Sequence, residues 1–591
     1  MASVPEGCSA GPKPAMSFKT GGGAILALGL VAGCGSAPEA SGPEGMERST
    51  SAISDPSAHV ATSPQGVVSS ASNFATEAGA RVLAEGGTAV DAAVSAAFAV
   101  AVTEPSMSGI AGRASIVIRT PDGDVRGIDG LNQVPAGYEP DLAPEGYDQA
   151  AVPGAIAALA RAQEEHGTWP LGEVMAPAVE LAREGFPLPA DEADRFASAA
   201  QDLERHAASR EYFLAEDGEP LEPGVHFVQE DLAEVLEAVA EGGVEVFYQG
   251  WVADSIHSHM ARAGGFITRD ELADYEALSA IPAEGTYRGH GLVSNFRPAS
   301  GHTVVQALKT MEEVEAPSAF ARPDGLGRGH GPWGGVTGVA MHLALQDRGE
   351  THETEEESAR HLTSREHARD RAQQMELDGV ALGGAAPDGG VPAAASPAAQ
   401  DEEPSYKRDA TTHLSTADAD GYVVALTQSL GPSMGSRLAA PGLGFLYPTR
   451  LSAEPGDRPS STISPTLVSR PDGSPMMALG GAGDARIISA VIQVVSRMVD
   501  HGMSLTEALE APRLHPVGSH VLELERGPVA LWRAADLAEL RSHDFQLRTA
   551  DSGAFGRVHA VYLPDGWADG GEPLKGVAEP RWTGGAAGPR P

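Results

Sequence analysis

The chain has 591 residues, 42% hydrophobic and 21% charged, the balance of a folded protein and not of a disordered one. Its 81 acidic side chains outnumber 41 basic ones, and the resulting formal charge of −40 repels phosphate backbones and anionic membrane surfaces, which excludes a nucleic-acid role and an electrostatic membrane attachment. Cys8 and Cys34 are its only cysteines and both lie near the N-terminus, so a disulfide framework and a cysteine-based metal site are excluded as well.

Lys13 and Lys19 precede an apolar run, residues 24–30, that ends in Val31-Ala32-Gly33-Cys34. A basic region, an apolar stretch too short to span a bilayer and small residues before a cysteine read as a secretory signal. The ending resembles a bacterial lipobox, with Cys34 lipidated, against the plainer reading of an ordinary cleaved signal in which the cysteine is incidental. Residues 35–65, rich in Ser, Pro, Gly and Ala, read as a flexible tether. Residues 74–84 and 89–102 are Ala-rich with helical spacing, suited to helices packed tightly on a sheet. Residues 114–119 and 125–128 read as strands around the Pro121-Asp122-Gly123 turn, residues 155–166 as an amphipathic helix, and 177–184 as a shorter helix with Pro177 in its first turn. Residues 383–403 are Gly-, Ala- and Pro-rich, the composition of a linker. Residues 412–417 and 422–428 follow as strands joined by a turn, and 486–500 places Ile488, Val491, Ile492, Val495, Met498 and Val499 on one helical face. Helices packed on strands in both halves point to a layered enzyme.

The chemistry concentrates at Asp409-Ala410-Thr411-Thr412-His413, at the head of a strand. Cleavage between Ala410 and Thr411 gives Thr411 a free α-amino group, which titrates near 8 and is partly neutral at physiological pH. That amine lies within reach of its own hydroxyl, so one residue supplies nucleophile and base. The β-branched side chain has few rotamers, which helps to hold the hydroxyl in place. Paired threonines opening a strand are also common without any catalytic role.

The surroundings decide between these. Glu85-Gly86-Gly87-Thr88-Ala89-Val90 opens a long Ala-rich block ending in Gly-Ile-Ala-Gly, residues 109–112; later blocks are TTHLSTADADG, DRPSSTISPTLV and GVAEPRWTGGAAG. In this order the blocks resemble the γ-glutamyltranspeptidase family of N-terminal-nucleophile hydrolases, over residues 66–587. The resemblance implies an α+β fold, a four-layer αββα sandwich, and a precursor that cuts itself into a large subunit (66–410, flexible near 383–410) and a small subunit (411–591). It implies Thr411 as nucleophile, Ser429 as a hydroxyl hydrogen-bonded to it, Ser461 and Thr462 as holders of the substrate's carboxylate end, and the backbone N–H groups of Gly483 and Asp484 as the oxyanion hole. The substrate is then a small amide or peptide and the acceptor water or an amine, with no metal or organic cofactor, and with membrane attachment through a lipid on Cys34 alone.

The sequence departs from the family at the acyl pocket. The family's carboxylate-gripping arginine falls at Leu131, its asparagine at Gly431, and the acidic partner of the substrate amino group at Ser452 or Ala453. Arg113 intrudes into the glycine-rich turn; it or Arg450 is a candidate substitute charge, against the alternative of a surface ion pair. Three readings stay open: a self-cleaving amidohydrolase or acyltransferase with an altered acyl preference, a true γ-glutamyl hydrolase or transpeptidase acting on glutathione-type substrates, and a lipid-anchored binding protein that has lost catalysis. Elsewhere the reading is structural. Residues 329–334 (GHGPWG) read as a loop and not a dinucleotide site, His257 and His259 as solvated side chains that share a direction on a strand, His413 as a strand residue, and Glu355–Glu357 as a solvated face.

Overall fold

The computed structural model describes residues 52–139, 146–314, 331–377, 409–449, 453–527 and 531–590. Two seven-stranded sheets carry the fold. In the first, the strands run in the order Gly585–Ala587, Gly66–Ser70, Asp409–Asp418, Val423–Pro432, Arg113–Arg119, Val125–Gly130 and Leu278–Ser279, all antiparallel. In the second, the order is Val60–Ser63, Leu574–Val577, Arg557–Tyr562, Pro475–Ala482, Thr466–Ser469, His290–Asn295 and Pro282–Tyr287, again antiparallel.

Three apolar layers hold these sheets. Val67, Val117, Ala417 and Ala425 of the first sheet meet Leu467, Ala478 and Val561 of the second, so the sheets pack face to face. The outer face of the first is covered by the helices Asn73–Ala84, Ala89–Thr103, Ala155–His166 and Leu171–Glu184. The outer face of the second is covered by Gly301–Glu313, Gly331–Asp347 and Ala485–His501. The result is the expected αββα sandwich. Every residue of Ala89–Thr103 is buried, which explains its alanines, since only small side chains allow neighbouring helices and strands to approach on all sides. The sheets approach closely at Gly480, where a Cβ would lie 2.4 Å from the His413 ring.

Several elements differ from the sequence reading. The segment predicted as tether ends in the strand Val60–Ser63, with Ala61 and Ser63 buried and paired to Leu574–Val577, so the tether boundary at 65 falls inside the sandwich. Composition missed it because partner strands, not local propensity, order an edge strand. Pro177 sits mid-helix in Leu171–Glu184, where burial of Val174, Met175, Ala178 and Ala182 offsets a proline cost of roughly 3 kcal/mol. The helix Gly331–Asp347 begins inside the predicted loop 329–334, with Trp333 fully buried. His257 and His259 lie on the helix Trp251–Ala263 and not on a strand, so two-residue spacing does not align them. The linker 383–403 lies outside the described residues.

Candidate active site

Thr411 is placed by a register irregularity. Strand Asp409–Asp418 pairs Ala410 with Gly431 and Thr412 with Gln428, so the single residue Thr411 faces both Ser429 and Leu430. Such bulges re-aim side chains at functional positions. Thr411 Oγ1 lies 2.7 Å from the carbonyl oxygen of Ala410 and 3.1 Å from Ser429 Oγ. Ser429 Oγ also donates to the Ala410 carbonyl, and it accepts from the Gly431 N–H at 3.0 Å. Thr411, Ser429 and Ala410 are all buried. The carbonyl preceding Thr411 is therefore held by two hydroxyls, one of which belongs to the residue that follows it.

Below Thr411, Thr412 Oγ1 donates to Glu104 Oε2 at 2.8 Å. Glu104 ends the helix Ala89–Thr103, and burial, reinforced by the neighbouring Glu192 charge and opposed by Arg195, pushes its carboxyl up to about 7. Glu192 in turn accepts from Ser106 Oγ at 2.6 Å and pairs with Arg195. This support was missed in the sequence; its one local signal is a carboxylate directly after a wholly buried, Ala- and Val-rich helix. His413 bonds Thr427 Oγ1 at 2.8 Å and Ser415 Oγ at 2.9 Å, and burial keeps it neutral, so it is a strand residue as expected.

The second sheet supplies the opposite wall. Strand Pro475–Ala482 ends at Gly483 and Asp484, with Asp484 the residue before the helix Ala485–His501. Gly483 has φ +126° and Asp484 φ +50°, a backbone that favours glycine at both positions. The Asp484 carboxylate accepts weakly from Thr462 Oγ1 at 3.3 Å. It is also the charge that acts on Arg113 and on Arg348.

Arg113 is the cross-strand partner of Ser429 and is only 3% exposed. Its Nε and Nη1 have no hydrogen-bond partner. Burial pulls the guanidinium down to about 10, against the upward pull of Asp484. A surface ion pair, the plain alternative for this residue, is thus ruled out by its position. These groups form two clusters, Ala410–Thr411–Ser429 and Thr462–Asp484; Arg113 pairs across strands with Ser429 of the first and feels the Asp484 charge of the second. Ser461 stands beside them: it is buried, and its carbonyl accepts from Ser300 Oγ at 2.7 Å.

Comparison with known proteins decides the family. A family model described as gamma-glutamyltranspeptidase matches residues 75–589. The chain belongs to the γ-glutamyltranspeptidase family. It is 32% identical over 499 residues to a glutathione hydrolase proenzyme of Escherichia coli (strain K12), covering 77% of this chain and 82% of that protein. It is 31% identical over 500 residues to an acylase proenzyme of Pseudomonas sp. (strain SE83), covering 79% and 85%. In fold it matches a cephalosporin acylase from Bacillus halodurans with a TM-score of 0.75 at 24% identity, covering 92% of this chain and 98% of that one. The chain is accordingly an enzyme of the γ-glutamyltranspeptidase-like N-terminal-nucleophile class, and the reading as a binding protein without catalysis is set aside.

Leu131 is 1% exposed and packs in the apolar layer of the second sheet, with Tyr275 Oη donating to its carbonyl at 2.7 Å. No guanidinium reaches the site from that position. Gly431 contributes only its N–H, to Ser429. Ala453 carries no charge, while Arg450, Ser452 and Cys34 lie outside the described residues. Among the described residues, no helix is long and apolar enough to cross a membrane.

Proposed function

We propose that the chain is a self-cleaving amidohydrolase or acyltransferase whose acyl-enzyme forms on Thr411 and whose acyl pocket is rebuilt around Arg113 and Asp484. The observation that carries this is the Thr411 hydroxyl lying 2.7 Å from the carbonyl oxygen it must activate against, with Ser429 on the same oxygen. In the self-cleavage step, Oγ1 adds to the Ala410 carbonyl carbon while its proton passes by way of Ser429. The C–N bond to Thr411 breaks, the nitrogen takes the proton, and an ester joins Ala410 to Oγ1. Water then hydrolyses that ester, leaving a carboxylate on Ala410 and a free amine on Thr411.

In turnover, the new amine takes the Oγ1 proton as the hydroxyl adds to a substrate amide, and returns it to the leaving amine. The backbone N–H groups of Gly483 and Asp484 serve the developing oxyanion, a role that survives a side-chain change because the donors are main-chain. Ser461 and Thr462 line the acyl end. Arg113 is a cation available there, and its unpaired N–H groups suit a carboxylate on the acyl chain.

The test is a denaturing gel with intact-mass measurement of purified protein. Wild type should give two chains, the smaller beginning at Thr411, and Thr411→Ala a single uncut chain with no amidase activity. A wild type that stays uncut refutes the proposal. The same mass spectrum reads any lipid on Cys34, which is part of this reading.

A second reading, a γ-glutamyl hydrolase with a relocated clamp, draws on one observation: the Asp484 charge reaches Arg113, so one pocket offers an acid for an amino group and a cation for a carboxylate. Glutaryl and γ-glutamyl anilides differ only in that amino group. A marked preference for the γ-glutamyl compound selects this reading, and equal or reversed turnover selects the first.

A further inference from the structure

We propose that Glu350, His352 and His361 form a binding site for a divalent transition-metal ion of the zinc type, separate from the nucleophile. The segment between the helices Gly331–Asp347 and Glu355–Leu362 carries the first two, and the second helix carries the third. Glu350 Oε1 is 3.5 Å from His352 Nε2 and 3.6 Å from His361 Nε2. One ligand atom from each residue lies within 4.8 Å of the others. These separations are too long for good hydrogen bonds. They are close to the roughly 3.3 Å that separates two ligands of a tetrahedral ion bound at about 2.0–2.1 Å. One carboxylate oxygen thus faces two imidazole nitrogens across a gap of the size that an ion spans.

The donor set fits a borderline-soft ion. Two imidazoles with one carboxylate suit zinc, whereas magnesium and calcium prefer all-oxygen shells. The side chains of Glu350, His352 and His361 are 36%, 35% and 40% exposed, so the fourth position opens to water and the ion has an entry path.

The ligands are also oriented from behind. Arg297 donates to the Glu350 backbone carbonyl, and Arg371 stands 3.9 Å from Oε2, leaving Oε1 to the imidazoles. The His352 N–H donates to Ser358 Oγ at 2.9 Å, tying the turn to the following helix. His367 packs 4.7 Å from the His361 ring, centroid to centroid, but bonds Asp347 at 3.1 Å and so supports the site from within. Support of this kind fixes ligand direction in metal centres. The pattern escapes notice in the sequence because its spacing, Glu-x-His followed nine residues later by His, matches no familiar metal motif.

The site also bears on the acyl pocket. Arg348 lies two residues before Glu350, donates to Ser460 Oγ at 2.7 Å, and feels the Asp484 charge. An ion on Glu350 would pin the segment that carries Arg348.

The test uses the full-length purified protein, dialysed against a chelator and titrated with zinc by calorimetry, and separately with cobalt(II) followed by visible absorption. One ion per chain is expected, with the intense cobalt bands of a four-coordinate site. The double variant His352→Ala/His361→Ala should bind at least about tenfold more weakly, as loss of two of three protein ligands requires. Glu350→Gln, which keeps the shape, should do the same, and His257→Ala should bind as wild type does. The proposal is overturned if wild type binds no more tightly than the double variant, or if its cobalt spectrum is the pale one of a six-coordinate ion. Neither outcome depends on self-cleavage at Thr411.

Discussion

Replacing Ser429 by Ala should slow self-cleavage far more than it loosens the fold. The Ser429 hydroxyl has one proton, and it goes to the Ala410 carbonyl, the group that becomes an oxyanion in the proposed attack by Thr411. Its lone pairs face Thr411 Oγ1 at 3.1 Å and the Gly431 N–H at 3.0 Å. Loss of one donor to a developing oxyanion costs about 2.7–4 kcal/mol of barrier, or roughly 10²–10³ in rate. The structural cost is separate: Gly431 loses its acceptor, worth about 1–3 kcal/mol if the N–H is left unsatisfied. Precursor made by cell-free translation and sampled over time on a denaturing gel gives the cleavage rate, and thermal melts give the stability loss. Ser429→Thr keeps the hydroxyl and should cleave within about tenfold of wild type, since only the added methyl must be accommodated. If Ser429→Ala, folded by its melt, cleaves at the wild-type rate, Ser429 does not activate the carbonyl and the relay through it is wrong.

Arg113→Met should lower kcat/KM on a glutaryl anilide by roughly 10–150-fold, the value of a hydrogen bond to a charged group, while raising the melting temperature because a buried, unpaired cation is removed; unchanged turnover would place the acyl carboxylate elsewhere. Glu579 pairs with Arg513 at 2.7 Å and Arg581 at 2.9 Å with all three side chains buried, and these cations hold its carboxyl down at about 2. Glu579→Gln should therefore cost about 3–5 kcal/mol in urea unfolding, with loss of only a fraction of a kcal/mol showing that the arginines find other partners. Acid should destabilise the protein below pH about 6.5. Burial keeps His302, His515 and His559 neutral down to about 3, so between those values the unfolded chain binds protons that the native chain does not, and each histidine removes up to about 1.4 kcal/mol per pH unit as pH falls. Glu104 works the other way: its carboxyl at about 7 gives stability that is full below the ordinary carboxylate range near 4.5 and is lost as pH rises through 7. The three histidines outweigh it, and a melting temperature that rose steadily from pH 6.5 to pH 4 would contradict their buried, neutral state.

The helices and strands that were legible in the sequence are those whose pattern and packing agree. Ala89–Thr103 reads as a helix because burial on every side demands small residues, and Ala485–His501 because one face alone is apolar. The bulge that sets Thr411 beside Ser429 was not legible, since nothing in a threonine pair signals that the opposite strand carries an extra residue there. The strand Val60–Ser63 was hidden in a Ser- and Pro-rich stretch because its order comes from Leu574–Val577, over five hundred residues away. Glu104 and the Glu192–Arg195 pair beneath it were hidden for the same reason: the carboxylates meet only once Ser106 and the distant helix Ala190–Leu203 are packed together.

On the proposed reading, the departures at the pocket belong together. A guanidinium at position 131 would have to enter the apolar layer of the second sheet, where Leu131 now packs, and would need a buried partner there. Arg113 approaches instead from the first sheet, beside Ser429, so a cation in the pocket comes with an emptied slot at 131. Its burial is unfavourable and Asp484 only partly offsets it, while Asp484 itself occupies a left-handed backbone at φ +50° that a glycine would take more easily. Two costly features near the proposed nucleophile are hard to explain as packing, since Met at 113 and Gly at 484 would relieve both. They are accounted for together if a carboxylate on the acyl chain completes the pairing of Arg113 when substrate binds, which is the proposed reading of the pocket and ties its specificity to these two residues jointly.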